Sequence, residues 1–206
     1  MKFYLSSYKF GNEIEELKKL IPKNKKTAYI SNALDFSDDL ERRRKGEESA
    51  IEQFKNLNLD VEIIDLREYF NQKDKLEKKL NAFGIIWVRG GNCFVLRQAM
   101  KLSGFDNILK NLAEKNVDIL YGGDSAGICV LAPTLKGIDL IDDLTQRPYG
   151  KQIGTIWEGL GILNYSIIPH YNSDHPESKD TDKTVRYMIK NKILFKVLED
   201  GEVIIK

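Results

Sequence analysis

Residues 121–130 read Tyr-Gly-Gly-Asp-Ser-Ala-Gly-Ile-Cys-Val, with three glycines and an alanine crowded around one serine directly after an apolar run. Such a stretch can cradle a phosphate, seat a nucleophile, or simply carry a strand into a helix. A dinucleotide-binding Gly-x-Gly-x-x-Gly needs glycine where Asp124 stands, and an acid facing a pyrophosphate is repelled; the lysine of a phosphate-binding P-loop is missing too. Gly123-Asp124-Ser125-Ala126-Gly127 instead fits Gly-x-Ser-x-Gly, the turn that lifts a serine out of a strand end ahead of a helix. Holding the serine in that sharp turn strains the backbone, so its neighbours must be nearly without side chains. Ser125 is the candidate nucleophile for attack on a carbonyl carbon, and the N–H of Ala126 is a candidate donor to the oxyanion that follows.

A serine needs a base, and the chain has only two histidines. His170 follows the apolar run Ser-Ile-Ile-Pro and so falls at a strand's carboxyl end, whereas His175 sits in a polar loop before Pro176. His170 is the candidate base. The acid that orients it is sought between Ser125 and His170, the chain order of the α/β-hydrolases. Asp139 ranks first and Asp142 second, ahead of Asp143 and Glu158, although a solvated loop acid is the plainer reading of each. A second glycine pair, in Arg89-Gly90-Gly91-Asn92, lies between a strand ending at 88 and a helix from about 93. Gly91 there is a candidate for the second oxyanion donor, and Asn92 for a helix cap.

These residues need a frame. Short β-rich runs recur at 3–6, 27–31, 61–65, 84–88, 117–121, 166–169 and 202–205. Between them stand stretches at helical period: Ile14, Leu17, Leu20 and Ile21; Ala50, Ile51, Phe54 and Leu57; Ile108, Leu109 and Leu112. A short helix over 128–132 is expected to stop before Pro133. The alternation predicts an α/β fold with a mostly parallel sheet covered on both faces, whose ligands bind beyond the strands' carboxyl ends. The length, 206 residues, suits one domain over 1–206.

With 32 Lys+Arg against 31 Asp+Glu, the net charge of +1 provides no field to gather nucleic acid or an anionic membrane. The charged run at 41–50 reads as the solvated face of a helix. The first twenty residues hold no run long enough for a signal peptide, and nothing approaches the ~20 apolar residues of a membrane span, so a cytoplasmic protein is expected. Cys93 and Cys129 are far apart, and with the two histidines make no recognisable zinc spacing; no metal or cofactor is expected.

Taken together, the motifs resemble the peptidase E family, serine peptidases known as aspartyl dipeptidases, to which the cyanophycinases are related. Gly-Gly-Asn-Cys-Phe at 90–94 resembles the family's Gly-Gly-Asn-Thr-Phe. Gly-Asp-Ser-Ala-Gly followed by Leu-Ala-Pro-Thr resembles its Gly-x-Ser-Ala-Gly with a downstream Cys-Pro-Thr, and Ile-Ile-Pro-His-Tyr-Asn resembles its Asn-Pro-His-Phe. The resemblance implies a three-layer α/β/α fold like that of class I glutamine amidotransferase domains. It also implies Ser125 as nucleophile, His170 as base, Gly91 with Ala126 as oxyanion donors, and metal-free cleavage of small peptides with an N-terminal aspartate. Two positions depart from the pattern. Ungapped alignment puts Leu140 on the family's acid, between Asp139 and Asp142, and Asp182 follows Thr181 where the family's substrate-binding arginine belongs. Lys183 or Arg186 can substitute for that cation, or Arg89 can hold a substrate carboxylate through paired hydrogen bonds with Asn92 beside it. The expected activity is that of a serine peptidase with a Ser-His-Asp triad. The alternatives are an amidase or β-aspartyl peptidase on the same elbow, and a catalytically silent homologue that binds a peptide or metabolite.

Overall fold

The computed structural model describes residues 1–115 and 117–206 and, Arg42 apart, their side chains. Among these residues the strands are β1 (Lys2–Ser6), β2 (Lys26–Ile30), β3 (Asp60–Ile63), β4 (Ile85–Val88), β5 (Leu120–Asp124), β6 (Ser166–Ile168), β7 (Phe195–Val197) and β8 (Val203–Ile205). The helices are α1 (Ile14–Leu20), α2 (Leu40–Asn56), α3 (Lys73–Leu80), α4 (Cys93–Ser103), α5 (Phe105–Glu114), α6 (Ala126–Cys129) and α7 (Ser178–Lys190). Six strands form one sheet in the order β3-β2-β4-β5-β1-β8, parallel throughout except for β8, which runs antiparallel to β1.

The alternation of side chains along each strand sorts the core into two layers. Tyr4, Tyr29, Ile85, Trp87 and Leu120 point to one face and pack on Leu17 of α1 and Phe54 of α2. Phe3, Leu5, Ala28, Ile30, Ile86, Val88 and Tyr121 point to the other, under Leu76 of α3, Leu96 of α4 and Ile108 of α5. The result is the expected three-layer α/β/α arrangement. No described helix is long and apolar enough to cross a membrane.

Four local expectations are corrected. The strand expected over 117–121 is displaced to β5, so Gly122 and Gly123 lie inside it rather than in the turn. Close approach explains the glycines: a Cβ on Gly122 would sit 2.1 Å from Trp87 Cε3, and one on Gly127 would sit 2.1 Å from the Val88 carbonyl oxygen, where α6 rests on β4. The helix expected over 128–132 is the single turn α6, beginning right after Ser125. The run 166–169 does not join the main sheet; β6 pairs in parallel with β7, a three-residue strand too short to show a period. The charged run at 41–50 is solvated on one side only. Arg44 pairs with Glu41 and Glu48 in the open, whereas Arg43 turns inward to Asp35 and Glu47, with Asp35 also accepting from the Tyr149 hydroxyl.

Candidate active site

Ser125 is the lone residue between β5 and α6, and it takes the whole turn at φ 46°, ψ −113°. A side chain held in that sparsely populated region costs on the order of 1–3 kcal/mol, which the packing around it must offset. The Ser125 N–H donates to the Ser6 carbonyl at the end of β1 (3.3 Å), and its own carbonyl accepts from Ile128 and Cys129. Among the described residues, no acceptor takes the Ala126 N–H or the Gly91 N–H. Gly91 adopts φ 145°, a conformation that favours glycine, and a Cβ there would strike the Ala33 carbonyl at 2.5 Å. The neighbouring Gly90 N–H is held by Asp124, whose buried carboxylate accepts from it (3.1 Å) and from the Trp87 indole N–H (3.2 Å). Burial pushes the Asp124 carboxyl up to about 6. The glycine loop is therefore pinned to the residue just before the serine.

His170 is 2% exposed and also has a positive φ, 59°. Its backbone N–H donates to the Ser7 hydroxyl (2.9 Å). Ser125 and His170 thus hang from consecutive residues of β1 and its exit. The ring Nδ1 lies 2.6 Å from Asp200 Oδ1. An ionised carboxylate there fixes the proton on Nδ1 and leaves the Nε2 lone pair free. The Ser7 hydroxyl bonds Asp200 as well (3.0 Å), and the Asp200 N–H donates to the Ser173 hydroxyl (2.8 Å). Burial lowers the His170 pKa below the ordinary histidine value, opposed by the Asp200 hydrogen bond and reinforced by the nearby His175.

Neither acid ranked from the sequence reaches His170. Asp139 closes a turn by accepting from the Gly137 N–H (2.9 Å). Asp142 accepts from the Cys93 N–H (2.7 Å), the first of α4, and burial pushes its carboxyl up to about 6. The free N–H groups of a helix's first turn draw such an acceptor. Asn92, expected to contact substrate, is likewise occupied within the protein: its Oδ1 accepts from Phe94 and Val95, and its amide donates to the Asp143 carbonyl. Lys183 and Arg186 lie on the exposed side of α7, Lys183 already paired with Asp180.

Arg89 is placed differently. It lines a cavity of about 290 Å³ together with Lys9, Tyr29, Phe54, Trp87 and Asp124. Its Nη1 is buried and has no hydrogen-bond partner among the described residues. Gly46 in the middle of α2 makes room for it, since a Cβ there would lie 2.7 Å from that Nη1. A mid-helix glycine costs about 1 kcal/mol against alanine, and seating the guanidinium is its structural reason.

Residues that the sequence reading missed are Asp200, Ser7 and the group around His170. His175 stacks on His170 with centroids 3.7 Å apart and planes at 12°, and Glu177 Oε2 lies 3.9 Å from His170 Nε2. The signal for Asp200 was an Asp-Gly turn before the last strand, outside the interval searched.

Comparison with known proteins bears on the family and the fold. An uncharacterized peptidase of Listeria monocytogenes is 31% identical over 138 residues, which cover 67% of this chain and 63% of that protein. One from Pasteurella multocida is 28% identical over 115 residues, covering 56% of this chain and 49% of the relative. The chain thus spans less than two thirds of the length of the curated relatives it matches. Among solved structures, a Listeria monocytogenes protein named as a candidate peptidase E superposes with a TM-score of 0.74 at 24% identity, over 100% of this chain and 97% of that one. A peptidase from an acI-B1 actinobacterium gives 0.68 at 17% identity, over 100% and 82%. At those identities the two structures speak for the fold. The model of peptidase family S51 matches residues 6–205, and the chain belongs to that family.

Proposed function

We propose that this protein is a serine peptidase acting on small peptides, with Ser125 as nucleophile, His170 as base and Asp200 as the orienting acid. The observation that carries the reading is the Asp200–His170 pair, which leaves Nε2 of a buried imidazole free, on a residue anchored to Ser7 next to the Ser6 carbonyl that anchors the strained Ser125. Ser125 Oγ attacks the scissile carbonyl as Nε2 takes its proton. The resulting oxyanion is met by the Ala126 and Gly91 N–H groups, and Nε2 then protonates the leaving amine. Water, activated by the same nitrogen, releases the acyl group. Because α6 is a single turn, these two N–H donors rather than a helix dipole carry the stabilisation. The lowered His170 pKa keeps the imidazole neutral, and so able to act as a base, at neutral pH.

Arg89 adds a preference for substrates that carry a carboxylate near the scissile bond, including the acidic dipeptides of the family. A buried guanidinium nitrogen without a partner is costly, and a carboxylate satisfies it through a charge-assisted pair. Arg89→Met is expected to raise the Michaelis constant of an anionic dipeptide roughly ten- to a hundredfold, the equivalent of a charged hydrogen bond, with kcat little changed. An equal loss on the matching neutral amide substrate would show that Arg89 serves the fold instead.

The proposal as a whole is tested by labelling with a fluorophosphonate, followed by mass mapping of the modified residue. Modification at Ser125, together with cleavage of a peptide in a panel of dipeptides and β-aspartyl peptides, is the expected result. An unlabelled Ser125 and no cleavage would favour a silent peptide-binding homologue.

A further inference from the structure

We infer that His170, His175 and Glu177 form a binding site for a borderline divalent transition-metal ion, Zn²⁺ by its chemistry. These are the described residues in which three metal-ligating side chains converge: one ligand atom from each lies within 4.8 Å of the others. Two imidazoles and one carboxylate, with a fourth position open to solvent, is a donor set of three-ligand zinc sites. Imidazole nitrogen selects zinc over the hard, oxygen-seeking magnesium and calcium. In a tetrahedral site with bonds of about 2.0–2.2 Å the ligand atoms stand roughly 3.4 Å apart, so the three groups must close by about an ångström or slightly more.

The carboxylate that would orient a ligating His170 is already in place. Histidines that bind metals usually give their other ring N–H to a carboxylate, which fixes the tautomer and raises the basicity of the ligating nitrogen. Asp200 does this to His170, at 2.6 Å from Nδ1, and Ser7 and Ser173 hold Asp200 in turn. The other two ligands are held more loosely: His175 Nδ1 accepts only a long bond from the Glu177 N–H (3.3 Å), which coordination through that nitrogen would displace. His175 and Glu177 lie in the turns just before α7, with side chains 23% and 38% exposed. The His175 ring stacks flat on His170; binding would exchange that stack for coordination, with His175 turning on its outer side while His170 stays fixed.

The consequence for activity rests on the proposed role of His170. An ion on Nε2 occupies the lone pair that would take the Ser125 proton, so zinc is a reversible inhibitor and the peptidase is off whenever free zinc exceeds the dissociation constant.

The test separates binding from activity. Co²⁺ is titrated into Ser125→Ala protein, which cannot turn over substrate whatever the status of the peptidase reading. A strong visible absorption of tetrahedral Co²⁺, saturating at one equivalent and bleached by one equivalent of Zn²⁺, is the expected result. His175→Ala and Glu177→Gln, each introduced into the same protein and checked for an unchanged melting curve in chelator, should weaken binding at least about tenfold. No band, or a band of equal affinity in both variants, overturns the site. Zn²⁺ inhibition of the wild type, reversed by chelator and weakened in parallel by Glu177→Gln, supports the regulatory half. Zinc bound at these residues with hydrolysis undiminished overturns that half alone.

Discussion

Replacing Ser125 by alanine lowers peptide turnover by about 10⁶, the loss expected when the nucleophile of a working triad is removed. The change deletes one oxygen atom and leaves the Cβ, the turn and both oxyanion donors as they were. Transition-state stabilisation by those donors remains, so a residue of catalysis over water, on the order of 10³, should persist. The measurement is release of free amine from Asp-X dipeptides and β-aspartyl peptides by wild type and variant side by side, with thermal melting as the check on folding. Because Ser125 keeps φ near 46° whichever of the two side chains it carries, the variant should melt close to the wild type. A variant that retained the wild-type rate would end the serine mechanism.

Asp200→Asn is the second large effect, a fall in kcat of about 10⁴. An asparagine amide turned toward His170 offers an N–H where the carboxylate offered a lone pair, which favours the tautomer with its proton on Nε2. That nitrogen then has nothing with which to accept the serine proton. The pH profile carries an independent sign. The Asp200 hydrogen bond raises the His170 pKa against the burial that lowers it. Removing the carboxylate's charge leaves burial less opposed, so the pKa falls further and the acid limb of kcat/KM moves to lower pH. Asp139→Asn and Asp142→Asn should leave rate and profile nearly unchanged, since their oxygens serve the Gly137 and Cys93 N–H groups and an amide oxygen can do the same. If Asp142→Asn cost as much as Asp200→Asn, the assignment would be wrong.

The contrast between these acids shows what a sequence can and cannot reveal. An elbow is a local device: its steric demands fall on residues next to the serine, so Gly123, Ala126 and Gly127 announce Ser125. His170 was legible for a simpler reason, since only two histidines exist and one follows an apolar run. Asp200 was not, because nothing near it in the chain depends on it. It reaches His170 through the β6–β7 pairing and the turn that follows, thirty residues on, and the chain-order rule kept the search between Ser125 and His170, an interval that does not hold the carboxylate bonded to His170 Nδ1. The strand boundary at β5 failed for a related reason. Glycine is a poor strand former by propensity, but the indole of Trp87, from a neighbouring strand, required the space. Arg89 could be read as a cation beside a glycine turn; the seat cut for it by Gly46 belongs to a helix more than forty residues away.

The attachment of Ser125 and His170 to one strand has a consequence for how such a molecule can vary. Ser6 accepts from the backbone of Ser125, and Ser7 accepts from the backbone of His170. The strand they terminate is flanked on both sides, by β5 and β8. The spacing of Ser125 and His170 is therefore referred to two consecutive residues at the end of an interior strand, as two marks on one ruler, and not to the surface segments between them.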